Sequence, residues 1–458
     1  MKTNIIKYII LSVFFTSCGK EFLEIKSDLS IGSPNKVSDY LAMMQATSLI
    51  ANSTGTLAIA GADEYYLEDA TWQSLPIGSV IERNAYFWAD DVYENKEVGD
   101  WNNAYNKIQV ANMVLDGLDR LKPSSEELEN WNNASGSALF FRAFNFFQLA
   151  QLFCKPYDEA SAKHDLGIPL RLSSDITEPV KRSTLESTYK QIIDDLRIAE
   201  ERLTTDNRVR INPSKQAVFG LLAKVYLVMG DYRLSGEYAE RTLSIQEDLL
   251  DFNTLQTNVT YPFKNDYGVG NPEIIFHCYV PALGVLSRTR MYLDPELLDL
   301  YHEDDLRLKV YYSIGSINNI IFRGSLTGGL SIFSGISTSE IKLIQAEVFA
   351  RNNEIERATK IMNELGILRF PTSEYIPLVG LAKDELLKYI LDERRRELAF
   401  RGLRWSDLRR LNKDPLYAKS IVRTLNGRVY TLLPNDKKYV WQIPDKVLEI
   451  SKIVPNER

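Results

Sequence analysis

Residues 63–88 hold the two kinds of side chain that sugar recognition demands. A pyranose presents an apolar C–H face, which an indole or phenol ring covers, and a hydroxyl rim, which carboxylate, amide and guanidinium groups hydrogen-bond. Asp63, Tyr65, Tyr66, Trp72, Arg83, Asn84 and Trp88 supply both kinds in one stretch. The same residues would equally build the packed interior of a loop. Carboxylates are plentiful nearby: Asp63, Glu64, Glu68, Asp69, Asp90 and Asp91. Two of them flanking a glycosidic bond would make a glycoside hydrolase on a helical scaffold, although acidic pairs on loops ordinarily serve as solvated surface. No other catalytic set is present. The three histidines, His164, His277 and His302, are far apart and join no Cys/His cluster, so no metal-ligand spacing or nucleophilic triad emerges. "GVGNP" and "GSLTGG" lack the strand–turn–helix setting of a phosphate loop. The expectation is binding without catalysis, with no cofactor and no metal.

A second cluster, "LDERRRELAFRGLRWSDLRR" at 391–410, packs seven arginines into a chain whose net charge is -7. Nucleic acid would need a basic face, which this acidic protein lacks. Acids are interleaved instead. Asp392 precedes Arg396 by four, Glu397 precedes Arg401 by four and Asp407 precedes Arg410 by three, which sets opposite charges side by side on a helix. Leu387, Leu391 and Leu398 form an apolar stripe that includes Arg394, and a buried arginine calls for a carboxylate partner. Gly402 breaks the helix and Trp405, Leu408 and Leu411 begin another. The segment reads as two packed helices clamped by ion pairs.

The elements that must position these residues are mostly helical. "WNNAYNKIQVANMVLDGLD" places Trp101, Tyr105, Ile108, Ala111, Leu115 and Leu118 at steps of three and four, and "SGSALFFRAFNFFQLAQLF" is apolar nearly all round, as a central buried helix is. Ser183 with Glu186 reads as a capping box, and Asn212–Pro213 as the start and Gly230 as the stop of a further helix. Ala223, Tyr226, Gly230, Tyr232, Ser235 and Ala239 repeat, step for step, as Ala346, Phe349, Asn353, Ile355, Ala358 and Met362. Small residues that let helices approach and an aromatic that fills the groove are the logic of a tetratricopeptide-type hairpin. Two irregular, turn-rich insertions, at about 51–99 and 247–339, interrupt the helices. The second holds short β-like runs, "NPEIIFHCYV", "KVYYSIGS" and "NNIIFRGS". A rigid frame presenting long loops suits a ligand surface.

The first residues bear on the compartment. Lys2 and Lys7 make a positive n-region, and the almost wholly apolar run at 5–15 is too short for a membrane span, which needs about 20 residues. Small residues and then Cys18 follow, so 1–17 reads as a signal peptide and Cys18 as the acylated first residue of a lipoprotein whose mature body is 18–458. Cys154 and Cys278 sit in apolar runs and read as buried free thiols.

The arginine segment closely resembles the late helical signature of the SusD/RagB family, the surface glycan-binding lipoproteins of Bacteroidota. "WNNAYNKIQVANMVLDGL", "GSALFFRAFNFFQLAQLFCKPY" followed by "GIPL", "STLESTYKQIIDDLRIAEERL", "AVFGLLAKVYLVMGDYRLSGEYAE", "EIKLIQAEVFA" and "YVWQIPDKVLEI" resemble family segments in the same order. The resemblance implies a mostly α fold of four tetratricopeptide-like helix pairs with loop-rich insertions. It implies a lipid-anchored cell-surface protein of the outer membrane that captures an oligosaccharide and delivers it to a SusC-like TonB-dependent transporter; some members bind peptides instead. The terminal "ISKIVPNER" departs from the Asn-Pro-rich tail common in the family. If Cys18 carries the anchor, a fatty-acid probe fed to cells labels the wild type and not Cys18→Ala; label on the variant contradicts the assignment.

Overall fold

The computed structural model describes residues 34–46, 51–315, 319–324 and 326–458; the leader and Cys18 lie outside them. Four short helices, α1 (Val37–Met44), α2 (Thr56–Gly61), α3 (Asp69–Gln73) and α4 (Val80–Tyr86), precede the long hairpin of α5 (Gly99–Asp119) and α6 (Leu128–Phe153). Then come α7 (Leu185–Arg202), α8 (Lys215–Met229) and α9 (Tyr232–Leu243). Two single-turn helices follow, α10 (Pro295–Leu298) and α11 (Arg307–Val310). The chain ends with α12 (Thr338–Arg351), α13 (Ile355–Gly366), α14 (Lys383–Glu397), α15 (Arg404–Leu411) and α16 (Asp445–Ser451).

The most apolar stretch forms the axis, as expected. From Ala134 to Phe153 nearly every residue of α6 is buried, between α5 on one side and α7 on the other. Its one interior cation, Arg142, donates from Nε and Nη2 to both oxygens of Asp195 on α7 at 2.8 and 2.7 Å, and from Nη1 to Oδ1 of Asn112 on α5 at 3.0 Å. One guanidinium thereby fixes three helices, which the apolar pattern alone does not reveal.

The two aligned segments fold as the hairpins α8–α9 and α12–α13. Their turns match in conformation: Gly230 has φ 81° and Asn353, at the equivalent place, φ 64°. Both sit in the left-handed region that glycine and asparagine tolerate best. Ser235, where a plain small residue is usual, donates its hydroxyl to the carbonyl of Ala223 at 2.9 Å. Gly236 of α9 faces Val348 of α12, and a Cβ there would run into the valine side chain. The two hairpins are therefore neighbours in space although a long irregular segment separates them in sequence. Tetratricopeptide-like pairing continues across the excursion.

Two helix starts differ from expectation. The cap of α7 is Thr184, whose Oγ1 accepts from Ser187 N at 3.0 Å, because Ser183 turns its hydroxyl to Ile168 O at 2.8 Å. Ser214, and not Asn212, caps α8 by accepting from Ala217 N. Cys154 and Cys278 are both buried free thiols.

The irregular segments carry short strands: β1 (Tyr65–Tyr66), β2 (Leu166–Pro169), β3 (Arg182–Thr184), β4 (Ile274–Phe276), β5 (Tyr279–Val280), β6 (Tyr292–Leu293), β7 (Tyr312–Ile314), β8 (Ile320–Phe322), β9 (Ile332–Phe333), β10 (Ile336–Ser337), β11 (Ile421–Leu425) and β12 (Arg428–Leu432). The largest sheet runs β1-β6-β8-β7, all antiparallel, with Tyr65 opposite Leu293 and Tyr66 opposite Tyr292. It joins the two stretches expected as insertions into one body with its own core, around Tyr65, Tyr86, Met291, Tyr311 and Phe322.

The arginine segment becomes α14, a turn through Gly402, and α15. Six of the seven arginines are buried and Arg395 is half-buried. Arg394 finds Asp407 at 2.8 Å, and Asp407 also holds Arg410, which reaches Glu347 of α12 at 2.7 Å. Glu397 binds Arg307 at 3.0 Å, Arg369 at 2.9 Å and Arg401 at 3.7 Å. The expected Asp392–Arg396 pair does not form. Asp392 faces the surface and takes Lys388, while Arg396 turns inward to Glu393 at 2.6 Å.

Arg307 is the crossing point of this lattice, contacting Asp305 at 2.7 Å, Glu397 and Glu393. Glu393 and Glu397 keep other arginines without it, but Asp305 has no other cation partner among the described residues. Arg307→Ala should lower the unfolding free energy by about 3–5 kcal/mol by stranding a buried charge. The checks are a lower urea midpoint with an unchanged slope and partial recovery in the Arg307→Met/Asp305→Asn double variant.

Candidate functional site

The aromatic stretch folds in two layers. In the inner layer Trp88 and Tyr65 are each 1% exposed and Asp63 is 5% exposed. Trp88 donates its indole N–H to Gly61 O at 3.0 Å, and Tyr65 its hydroxyl to Ala60 O at 3.1 Å. The guanidinium of Arg423, from β11, lies 4.0 Å from the Tyr86 ring centre, 4.8 Å from Trp88 and 5.4 Å from Tyr65, and donates to the carbonyls of Ala60, Ala62 and Tyr86. Tilted rings around a cation whose terminal nitrogens donate to three carbonyls make a rigid floor.

Asp63 is taken up in the same way. Both its oxygens accept from Arg404, at 2.6 and 2.9 Å, and Lys419 and Arg395 approach to 2.8 and 3.4 Å. Burial opposes its ionisation, but Arg404, Arg395 and Lys419 outweigh it and hold its pKa well below the ordinary value. Three of the seven residues expected at a ligand, Asp63, Tyr65 and Trp88, thus lie beneath the surface with their polar atoms committed to protein.

The other four lie in the outer layer. Trp72 is half-buried on α3, with Arg83 of α4 over its ring at 4.4 Å and Phe87 edge-on at 6.1 Å. Phe87 continues to Tyr430 of β12 at 5.0 Å. Asn84 donates to Glu94 at 2.8 Å, and Tyr66 packs on Tyr292 at 5.5 Å. Beside Trp72, Gln73 donates to Asn426 at 2.6 Å, and Asn426 N donates to Asp69 at 2.8 Å. A row of partly open rings with a guanidinium and amides at its edge is what the geometry brings together. Asn426 and Tyr430 escape sequence reasoning because they arrive on a hairpin more than three hundred residues downstream, and Gln73 because its partner is Asn426.

Glu64, next to the clamped Asp63, has a different fate. Its Oε1 accepts from Phe400 N at 2.7 Å, and Oε2 has no hydrogen-bond partner. Burial lifts its pKa to about 7, the Phe400 N–H opposes the lift and the Asp63 charge adds to it. A carboxyl whose pKa is raised on folding holds a proton in the folded state that the unfolded chain has lost. Stability from this group therefore falls as pH rises from about 4.5 toward 7 and stays low above. Glu64→Gln keeps the acceptor for Phe400 and carries no titration. The variant should gain on the wild type between pH 5 and pH 8 by about 3 kcal/mol or less; parallel stability–pH curves from chemical denaturation would contradict this.

Residues 21–227 match a family model described as "Starch-binding associating with outer membrane", and residues 337–452 match the model of the SusD family. SusD-like protein P2 of Formosa agariphila is 25% identical over 381 residues, 68% of this chain and 71% of its own length. A SusD superfamily protein from Bacteroides thetaiotaomicron superposes with a TM-score of 0.73 at 20% identity, covering 92% of this chain and 99% of that one. A SusD-like carbohydrate binding protein from Bacteroides vulgatus does so with 0.68 at 20% identity, covering 92% and 97%. The two solved structures speak for the fold, the family models for descent, and together they agree with the helical hairpins and the arginine segment: the chain belongs to the SusD/RagB family.

Proposed function

We propose that the protein is a cell-surface glycan-binding lipoprotein, anchored in the outer membrane through Cys18, that captures oligosaccharides and passes them to a SusC-like TonB-dependent transporter. The observation that carries the reading is the outer layer at Trp72, Arg83, Phe87 and Tyr430 on a SusD-family frame. Ring faces there meet C–H surfaces, while Arg83, Asn84, Gln73 and Asn426 meet hydroxyls. The description of the matched family model, with its starch binding and outer-membrane association, supports both ligand class and place. No helix among the described residues is long and apolar enough to cross a membrane. Binding without turnover is favoured because Asp63 is locked by Arg404 and Glu64 is enclosed behind it, so two of the carboxylates eligible for hydrolysis do not face the ligand.

Tyr66, Trp72, Arg83 and Asn84 are the contacts proposed; Asp63, Tyr65 and Trp88 support them from below. Affinity electrophoresis on a polysaccharide panel, followed by calorimetry, tests the reading. Trp72→Ala should weaken a glycan hit roughly tenfold, about 1.4 kcal/mol, at a nearly unchanged melting temperature. Trp88→Ala should instead cost about 3–5 kcal/mol of stability by emptying a buried indole site. Tight binding of a peptide with no glycan hit, or release of reducing ends, would overturn the reading.

A further inference from the structure

Three buried arginines give their protons to backbone carbonyls and meet no carboxylate among the described residues. Arg409 donates to Gln151 and Cys154, Arg423 to Ala60, Ala62 and Tyr86, and Arg323 to Thr257, Thr260 and Lys309. Arg323 uses Nε and Nη1 for this, which leaves Nη2 without a partner among the described residues and not enclosed by protein. Burial lowers its pKa, the charge of Arg288 lowers it further, and no acid opposes them.

Arg288 is half-buried and makes no hydrogen bond or ion pair among the described residues, so the edge of its guanidinium is open to solvent. The two cations converge on Tyr261. The Arg288 guanidinium lies 5.4 Å from the centre of the Tyr261 ring, and Arg323 Nε donates to Thr260 O, one residue before it, at 3.3 Å. Gly324, with φ 132°, lets the ring lie close to the backbone that follows Arg323; a Cβ there would stand 3.3 Å from it. Like charges so placed repel, and partial burial strengthens the repulsion by keeping water out. The acids of adjoining segments do not answer them. Asp266 accepts from Gly268 N and Gly270 N at 3.0 and 2.9 Å, and its charge acts on His277. Glu82, beside Gly284, feels the charge of Asp100 and not that of Arg288. Asn258 and Thr260, both exposed, leave an amide and a hydroxyl unspent on the same loop. The unmet demand is for one oxyanion with polar groups around it, and guanidinium edges fit the paired oxygens of a carboxylate or a sulfate.

We propose that Arg288, Arg323 and Tyr261 form a subsite for a saccharide that carries an oxyanion, a sulfate ester or a uronate carboxylate, held between the open edge of Arg288 and Nη2 of Arg323 with the sugar hydroxyls on Asn258 and Thr260. The subsite shares no residue with Tyr66, Trp72, Arg83 and Asn84, so it stands or falls apart from the proposed glycan platform.

Calorimetry of the mature chain with glucose 6-sulfate, glucuronate and glucose tests it. At least one of the two anions should bind, and their ratio tells sulfate from carboxylate; glucose should bind about tenfold more weakly or not at all. Arg288→Gln should weaken the bound anion about tenfold at a nearly unchanged melting temperature, because Arg288 gives no hydrogen bond to the chain. Thr260→Glu sets a carboxylate beside both cations. It should displace the ligand as a built-in counter-ion and leave the melting temperature equal or higher. Trp72→Ala should leave binding of the anion unchanged. Binding of neither anion, equal binding of glucose, full affinity in Arg288→Gln or in Thr260→Glu, or loss in Trp72→Ala would each overturn the proposal.

Discussion

The rest of the structure depends on the bond between Arg404 and Asp63. It joins α15, in the helical frame, to the loop that begins the aromatic layer, across 341 residues of sequence. A buried ion pair adds little net stability compared with well-packed apolar groups, because both partners leave water. What it does is forbid alternatives: any arrangement that separates Arg404 from Asp63 leaves a charge in a dry interior. The same logic governs Glu397 among Arg307, Arg369 and Arg401, and Glu347 beneath Arg410. Here the arginine segment is a set of positional constraints, and the loops that build the aromatic layers are among their targets.

That arrangement explains why the frame can be mostly helical while the proposed binding face is not. The sheet β1-β6-β8-β7 has strands of two or three residues, too short to hold a surface by ladder hydrogen bonds alone. Asp63 is fixed from α14 and α15, and Glu64 from the turn between them, at one end of β1, and Arg423 fixes the layer behind it. Tyr66 and Trp72 then follow within a few residues of anchored backbone, so their rings are held in place without a large sheet.

The helices were legible because period, caps and turn residues are local. The apolar run of α6, the paired hairpins with Gly230 and Asn353 at their turns, and the acid-interleaved arginines all announce themselves within a window of a few turns. The two helix starts missed by a residue or two reflect competing hydroxyls: Ser183 had a second acceptor in Ile168 O, which the sequence does not show. The site was legible only as a composition. Nothing local separates Trp72, which lies in the outer layer, from Trp88, which lies under Arg423. The difference is imposed by a cation arriving from β11, far along the chain. Asp63 likewise reads as a hydrogen-bonding loop acid until Arg404 is placed beside it.

Arginine plays two separable roles in this molecule, and the difference lies in what accepts its protons. Where the acceptor is a carboxylate, as at Arg142, Arg307, Arg369 and Arg410, the bond joins helices or clamps a loop to them. Where the acceptors are backbone carbonyls, the bond finishes chain that has no ladder partner. Arg323 takes the carbonyls of Thr257, Thr260 and Lys309, and Arg423 those of Ala60, Ala62 and Tyr86. Buried carbonyls need donors, and a planar fork with five N–H groups satisfies two or three at once where a lysine would reach fewer in fixed geometry. The cost is a buried charge with no counter-ion. At Arg423 the faces of Tyr65, Tyr86 and Trp88 offset that cost through their ring quadrupoles. At Arg409 no ring performs this service among the described residues, and the nearest open space is a cavity rather than a packed core.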